Sequence, residues 1–251
     1  MILNLAVLGA ASVQAATGIG FGAIAGPILL LTLNSAAAVQ ITIVLSLLIA
    51  LVLAPSLWRE SDRLVLRRLL AGTVLGLPIG IVIYLNADVG LLQLLAGVSV
   101  LLMALSVRAA GGPRAIEAQA QGPFDPPARG TNLAVGVLSG LMSTSLAMPG
   151  PPVAAWMTGR GFRMTTTRST VLTLFVPSYA AAAMLQACVA TTALETLSIM
   201  AKLTPATLIG LLLGRALTSR ISEVAFLRIV LFLLWATALG LLVSGIRRVV
   251  S

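Results

Sequence analysis

The sequence contains no histidine and a single cysteine, Cys188. Histidine is the commonest metal ligand and the usual proton carrier near neutral pH. One cysteine excludes both an intramolecular disulfide and a cysteine-rich metal site. The sequence therefore gives no basis for a metal centre or for histidine-based catalysis, and we expect no cofactor.

Charge is scarce as well. Only 9% of the 251 residues are charged and 59% are hydrophobic, and the mean hydropathy is +1.07. Soluble domains carry about 25% charged residues, because their surfaces face water. Most of this surface must therefore face lipid. In lipid a helix satisfies its own backbone hydrogen bonds, so we predict an all-α integral membrane protein.

Acidic residues are few, and each falls in a predicted loop or near the end of an apolar segment. A carboxylate at the centre of a bilayer costs about 2.5–3.5 kcal/mol. A proton relay and paired-carboxylate hydrolysis therefore lack a candidate residue, and we predict that the protein is not an enzyme. The seven acids are Glu60, Asp62, Asp88, Glu117, Asp125, Glu195 and Glu223.

Eight apolar segments are predicted, at about residues 2–33, 36–57, 69–85, 89–107, 131–158, 170–191, 205–217 and 224–243. The first and fifth are longer than the ~20 residues that a span needs. Glycine and proline interrupt the first at Thr17–Gly22 and again at Gly26-Pro27, and the fifth at Met148–Pro152. We therefore expect both long segments to be broken helices.

A Pro/Gly-rich polar linker, residues 108–130, separates two membrane repeats, residues 1–107 and 131–251. Each repeat has one broken segment followed by three ordinary spans. Gly26-Pro27 matches Gly150-Pro151 at an offset of 124 residues, and Gly76 matches Gly210 at an offset of 134. This order of broken and unbroken segments predicts an internal duplication.

Basic residues indicate how the repeats are oriented. If the broken segments enter and return on one side, thirteen of the sixteen basic residues lie on the side of the linker; the other three are Lys202, Arg247 and Arg248. Lys and Arg accumulate in cytoplasmic loops. The split favours inverted repeats with a cytoplasmic linker and both termini outside. Two crossings by each broken segment would give the same split, so charge leaves open whether these segments are re-entrant or cross twice. The same rule explains the net charge of +9 without nucleic acid.

Glycine motifs suggest a family. The run Gly18–Gly22, followed by Gly26-Pro27-Ile28, resembles the first-repeat signature of the sulfite exporter TauE/SafE family. The stretch Gly136–Ser145, followed by Met148–Pro151 and Thr158–Gly161, resembles its second-repeat counterpart. The resemblance covers essentially the whole chain. It implies export of a small sulfur-containing anion, such as sulfite or an organosulfonate, across the bacterial inner membrane by alternating access.

Broken helices suit an anionic substrate, because their unpaired N–H groups and positive dipole ends attract negative charge. Glycine allows close approach of the backbone, and hydroxyl groups add neutral donors. We predict substrate-binding residues at the two breaks and at matched positions of the neighbouring spans. They are Thr17, Gly18, Gly20, Gly22, Gly26, Pro27, Thr42, Ser143, Thr144, Ser145, Pro149, Gly150, Thr166, Arg168 and Thr170.

Packing is the alternative role for glycines that recur every four residues. We interpret the stripe Gly72–Gly80 as packing, whereas the stripe Gly18–Gly26 leaves packing and substrate binding open. Three arginines flank the second break and are interpreted first as membrane-surface anchors and second as anion-attracting groups. They are Arg160, Arg163 and Arg168.

Two further functions remain open from the sequence: a passive anion channel and a membrane scaffold without a transported substrate. The paired helix breaks argue against a scaffold, since a break costs helical hydrogen bonds that a scaffold has no need to lose. The expected partners are a small anion and the lipid bilayer, not nucleic acid. A homodimer is left open.

Overall fold

The computed structural model describes residues 2–18, 21–109, 129–190, 192–217 and 223–250. Within these ranges the chain forms ten α-helices and no strand. The first five are α1 (Ile2–Thr17), α2 (Phe21–Leu33), α3 (Ala37–Leu57), α4 (Arg63–Asn86) and α5 (Val89–Ala109). The second five are α6 (Arg129–Leu146), α7 (Gly150–Gly159), α8 (Met164–Val189), α9 (Leu194–Leu217) and α10 (Glu223–Val250).

Five helices are long and apolar enough to cross a bilayer: α3, α4, α8, α9 and α10. Three shorter apolar helices lie at Leu3–Ala16, Phe21–Leu33 and Val89–Leu105. The prediction of an all-helical integral membrane protein is confirmed. Large side chains such as Leu75, Leu102 and Leu212 are more than half exposed, as expected where helices face lipid.

Both long segments are broken, as predicted, but one expected break is wrong. The first segment is interrupted between α1 and α2, and the second between α6 and α7. Helix α2 continues through Pro27 without interruption. Proline removes a single backbone donor, and membrane helices tolerate this when their neighbours compensate; Pro27 is itself buried in such packing.

Glycines bring α4 and α6 into direct backbone contact. A Cβ atom at Gly72 would collide with the carbonyl of Leu133, and one at Gly76 with that of Val137. Residue numbers rise together along both helices, so the two run parallel. The packing interpretation of the stripe Gly72–Gly80 is confirmed, because an added methyl group has no space there.

Helices α9 and α1 repeat this arrangement. Gly210 lies against the carbonyl of Leu8, and Gly214 lies against that of Ser12. These helices are also parallel. In one contact α4 of the first half packs on α6 of the second half. In the other, α9 of the second half packs on α1 of the first half in the same way.

Two further helix pairs each join corresponding members of the halves, and both are antiparallel. Beyond the end of α3, the Asp62 N–H donates to Thr170 Oγ1 near the start of α8 (3.1 Å). In the other pair, Gly97 of α5 faces Leu241 of α10, whereas the later Gly245 of α10 faces Leu94. A two-fold axis in the membrane plane makes each helix antiparallel to its counterpart. Two inverted repeats would produce this pattern, although the inverted repeat itself stays a prediction.

Helices α1 and α2 form a hairpin. The end of α1 lies beside Arg168, near the start of α8. The end of α2 lies beside Gln93, near the start of α5, through the bond from Gln93 Nε2 to the Leu30 carbonyl. The starts of α8 and α5 are at opposite ends of α4, because Thr170 contacts the beginning of α4 and α5 follows its end. Helix α1 therefore ends toward the face where α8 begins, and α2 ends toward the opposite face, where α5 begins. Helix α2 thus returns toward the face from which α1 enters.

Candidate functional site

The first break is built around Gly18. Its φ of +81° is left-handed, a conformation that glycine adopts at no steric cost. The Gly18 N–H donates to the Gln14 carbonyl (2.7 Å) and closes α1. The Arg168 guanidinium donates from Nη2 to the Ala15 carbonyl (2.9 Å). An arginine from the second half of the chain therefore caps the end of a helix in the first half.

Gln14 joins the two helices of this hairpin. Its Oε1 accepts the Phe21 N–H (3.0 Å) at the start of α2, and this bond fixes the orientation of the amide. Nε2 is then left as a donor, and it has no hydrogen-bond partner in the described part of the chain. The Gln14 side chain is fully buried. The first break therefore contains a buried hydrogen-bond donor without an acceptor.

Arg168 provides a second hydrogen-bond donor without an acceptor. Its Nη2 bonds Ala15, but its Nε is buried without a partner among the described residues. A Cβ atom at Gly18 would collide with the arginine side chain, so only glycine leaves room for it. The carboxylate of Glu60, exposed in the turn before α4, acts on this guanidinium through its charge.

The second break is built around Ala147, whose φ of +58° is also left-handed. The Met148 N–H donates to the Met142 carbonyl (3.0 Å), and the Tyr179 hydroxyl donates to the Ala147 carbonyl (3.1 Å). The break residues Gly18 and Ala147 are 129 positions apart (147 minus 18). The offset of 124 that pairs Gly26-Pro27 with Gly150-Pro151 is therefore wrong, because Pro27 lies within α2 and Pro151 lies at the start of α7.

Prolines make the second break poor in donors. Helix α7 begins after Pro149, and Pro151 and Pro152 follow Gly150 in its first turn. Proline has no backbone N–H. Three of the four residues Pro149–Pro152 thus donate nothing, so the start of α7 lacks most of the N–H groups that an anion would bind.

The three hydroxyl groups predicted as donors near this break form hydrogen bonds within the protein. Ser143 Oγ donates to the Ser178 carbonyl (3.3 Å), and Thr144 Oγ1 donates to the Leu77 carbonyl (3.0 Å). Ser145 Oγ donates to the carbonyl of Leu141 (2.8 Å) in its own helix. In this conformation the Ser143 and Thr144 hydroxyls link helices, and the Ser145 hydroxyl is bound within its own helix.

The first turn of α2 contacts the second break across the halves of the chain. Gly22, in the first turn of α2, lies so close to the Ala147 carbonyl that a Cβ atom would collide with it. One turn further along, a Cβ at Gly26 would lie 3.4 Å from Met148 Cε and 3.6 Å from Thr42 Cγ2. Gly22 and Gly26 thus allow α2 to pack against the second break.

Of the other predicted residues, Thr42 borders this contact through its methyl group, and the rest lie apart from it or outside the described residues. Thr42 Oγ1 donates to the Ala38 carbonyl (2.7 Å) in its own helix, and Thr170 binds the turn before α4. Thr166 is half-buried, and its carbonyl accepts from Ser169 Oγ (3.0 Å). Gly20 and the side chain of Thr17 lie outside the described residues.

Two residues at the breaks were not predicted from the sequence: Gln14 and Tyr179. The available signal for Gln14 was an amide in the middle of an apolar segment, where polar residues are costly and usually have a function. Tyr179 gave no such signal, because its ring packs on Phe175 like any apolar side chain (centroids 5.2 Å apart).

Two helical hairpins, broken near the contact between the halves of a membrane protein, are typical of secondary transporters. The fold and the breaks thus define a membrane transport protein with several membrane-spanning helices. The chain belongs to the sulfite exporter TauE/SafE family, whose pattern matches residues 3–241. The family comprises membrane anion exporters rather than enzymes. Comparisons with curated proteins and with solved structures give no match.

Proposed function

We propose that the protein exports a small sulfur-containing anion, such as sulfite or an organosulfonate, from the cytoplasm across the bacterial inner membrane. Membership of the sulfite exporter family supports the substrate class. The contact of Gly22 with Ala147 carries the structural part of the proposal. In this contact the first turn of α2, which follows the first break, lies against the second break.

We further propose alternating access between two inverted repeats. The antiparallel pairs α3 with α8 and α5 with α10 support the inversion. Hairpins that meet through backbone contacts can separate when one repeat rocks against the other. The anion would then face each side of the membrane in turn, and the first break would hold it.

Transport by purified protein in proteoliposomes tests this function. We expect saturable uptake of radiolabelled sulfite, and accelerated uptake when unlabelled sulfite is present inside the vesicles. Such exchange requires a carrier, whereas a channel gives flux that is not accelerated by substrate on the other side. Protein-free liposomes provide the background. Absence of protein-dependent sulfite or methanesulfonate flux would contradict the proposal.

A further inference from the structure

We propose that the substrate site is one-sided: Gln14 Nε2 and Arg168 Nε at the first break hold a monovalent oxyanion, and the second break contributes no charged donor. This inference rests on the proposed function, because it names the class of anion that the transporter binds. It goes further in assigning the site to a glutamine that the glycine motifs do not include.

Unsatisfied donors are the first observation. Gln14 Nε2 and Arg168 Nε are both buried without a partner in the described ranges. Leaving such a donor unpaired costs about 1–3 kcal/mol, and more if the group is charged. Both belong to side chains that already bind the hairpin, through Phe21 and Ala15 respectively. Two donors at one helix break, each lacking an acceptor, fit a ligand with at least two oxygen atoms.

The start of α2 adds a favourable field. This helix has 13 residues, and the N–H groups of its first turn have no acceptor within the helix. The positive end of its dipole attracts anions. Gln14 binds the first of these N–H groups, so its amide lies at the positive end of this helix.

The second break cannot provide a matching site. Its prolines remove the N–H groups of residues 149, 151 and 152, and the Tyr179 hydroxyl is used on the Ala147 carbonyl. At the offset of 129 residues, Gln14 corresponds to Ser143 (14 plus 129), whose hydroxyl is bound to the Ser178 carbonyl. The second break thus has no counterpart of the Gln14 amide or of the Arg168 guanidinium.

The single positive charge of Arg168 favours a monovalent anion over a divalent one. Arg168 supplies the positive charge at the site, and the Glu60 carboxylate that acts on it lies in an exposed turn, where water and salt screen its charge. A monovalent anion neutralises the guanidinium, whereas a divalent anion leaves a net negative charge away from water. Buried charge without a partner is strongly unfavourable. We therefore expect methanesulfonate to bind more tightly than sulfate, although both present oxygen atoms around sulfur.

The test is calorimetric titration of the full-length protein in detergent with methanesulfonate and with sulfate, at matched ionic strength. In Gln14→Glu the carboxylate still accepts the Phe21 N–H, but it replaces the free donor with a negative charge. We expect this variant and Arg168→Gln to weaken methanesulfonate binding by roughly 10- to 150-fold, the range for one lost hydrogen bond to a charged ligand. Arg163→Gln is the matched control, since Arg163 is exposed and should bind as the wild type does.

Melting temperatures accompany each titration. If Arg168→Gln fails to fold, Arg168→Lys, which keeps the charge and loses Nε, takes its place with an expected loss of about tenfold. Wild-type affinity in folded Gln14→Glu overturns the proposed site, and so does tighter binding of sulfate than of methanesulfonate. In either case sulfite flux would still support the transporter. A wild-type protein that neither binds nor transports any of these anions overturns the transporter as well.

Discussion

At the residue scale, Thr144 shows that a polar residue near a helix break can link helices through hydrogen bonds. Its Oγ1 donates to the Leu77 carbonyl (3.0 Å) in α4, and its carbonyl accepts from Gln186 Nε2 (2.8 Å) in α8. The residue therefore links α6 to two other helices. The position of Thr144 beside a Gly/Pro break predicted a contact with the substrate instead.

We expect Thr144→Val to lower the free energy of unfolding and to leave the affinity for methanesulfonate unchanged. An interhelical hydrogen bond in a membrane protein contributes about 0.6 kcal/mol on average, so the melting temperature should fall slightly. Thermal melting and calorimetric titration of the same preparation check both results. A loss of affinity without a loss of stability would place this hydroxyl in the binding site instead.

Gly22 is the residue at which the hairpins touch. We expect Gly22→Ala to reduce sulfite flux strongly, because the added methyl group collides with the Ala147 carbonyl, a backbone atom with little freedom to move. Overpacking of this kind costs about 1–3 kcal/mol. Proteoliposome flux at equal protein density measures the effect.

Gly9→Ala is the matched control for this substitution. A Cβ atom at Gly9, also on the first hairpin, would have no heavy atom within 4 Å. The control should transport as the wild type does. Equal flux in Gly22→Ala would show that the contact between the breaks is dispensable.

At the scale of elements, glycines decide how closely α4 and α6 approach. We expect Gly76→Ala to destabilise the protein by about 1–3 kcal/mol, because the Cβ would meet the Val137 carbonyl. Gly159→Ala, where a Cβ meets nothing within 4 Å, should leave stability unchanged. Thermal melting in detergent compares the two, and a stable Gly76→Ala protein would contradict the direct backbone contact.

The sequence predicted the helices because apolar length alone specifies a span in lipid. It also located both breaks, since Gly18 and Pro149 lie within the two interruptions. It misplaced a break at Pro27, because whether a proline interrupts a helix depends on the neighbours that compensate for its missing N–H. Gln14 and Arg168 were beyond prediction as a pair, because their proximity depends on how α8 packs against α1.

At the scale of the whole molecule, the direction of each helix fixes which loops share a face. The turn at Arg59 and the loop at Arg163 lie on one face, and Asn86, at the end of α4, lies on the other. We expect single cysteines at positions 59 and 163 to be labelled from the cytoplasm and one at position 86 from outside. The background is Cys188→Ser, because Cys188 is exposed.

Labelling of intact cells with a membrane-impermeant maleimide, before and after permeabilisation, makes the comparison. Arg59→Cys and Arg163→Cys should react only after permeabilisation, and Asn86→Cys should react at once. Opposite accessibility of positions 59 and 163 would contradict the two inverted repeats.

Helix α8 binds both breaks, through Arg168 at the first and Tyr179 at the second. The eleven positions between them (179 minus 168) correspond to about 1,100° of helical rotation, or three turns and about 20°. Both side chains therefore project from nearly the same side of α8, about 16 Å apart along its axis. Inserting or deleting one residue between them would rotate one attachment by about 100° relative to the other. The number of residues in this stretch is thus constrained as well as their identity, and we expect insertions to be tolerated in the loops rather than between these two positions.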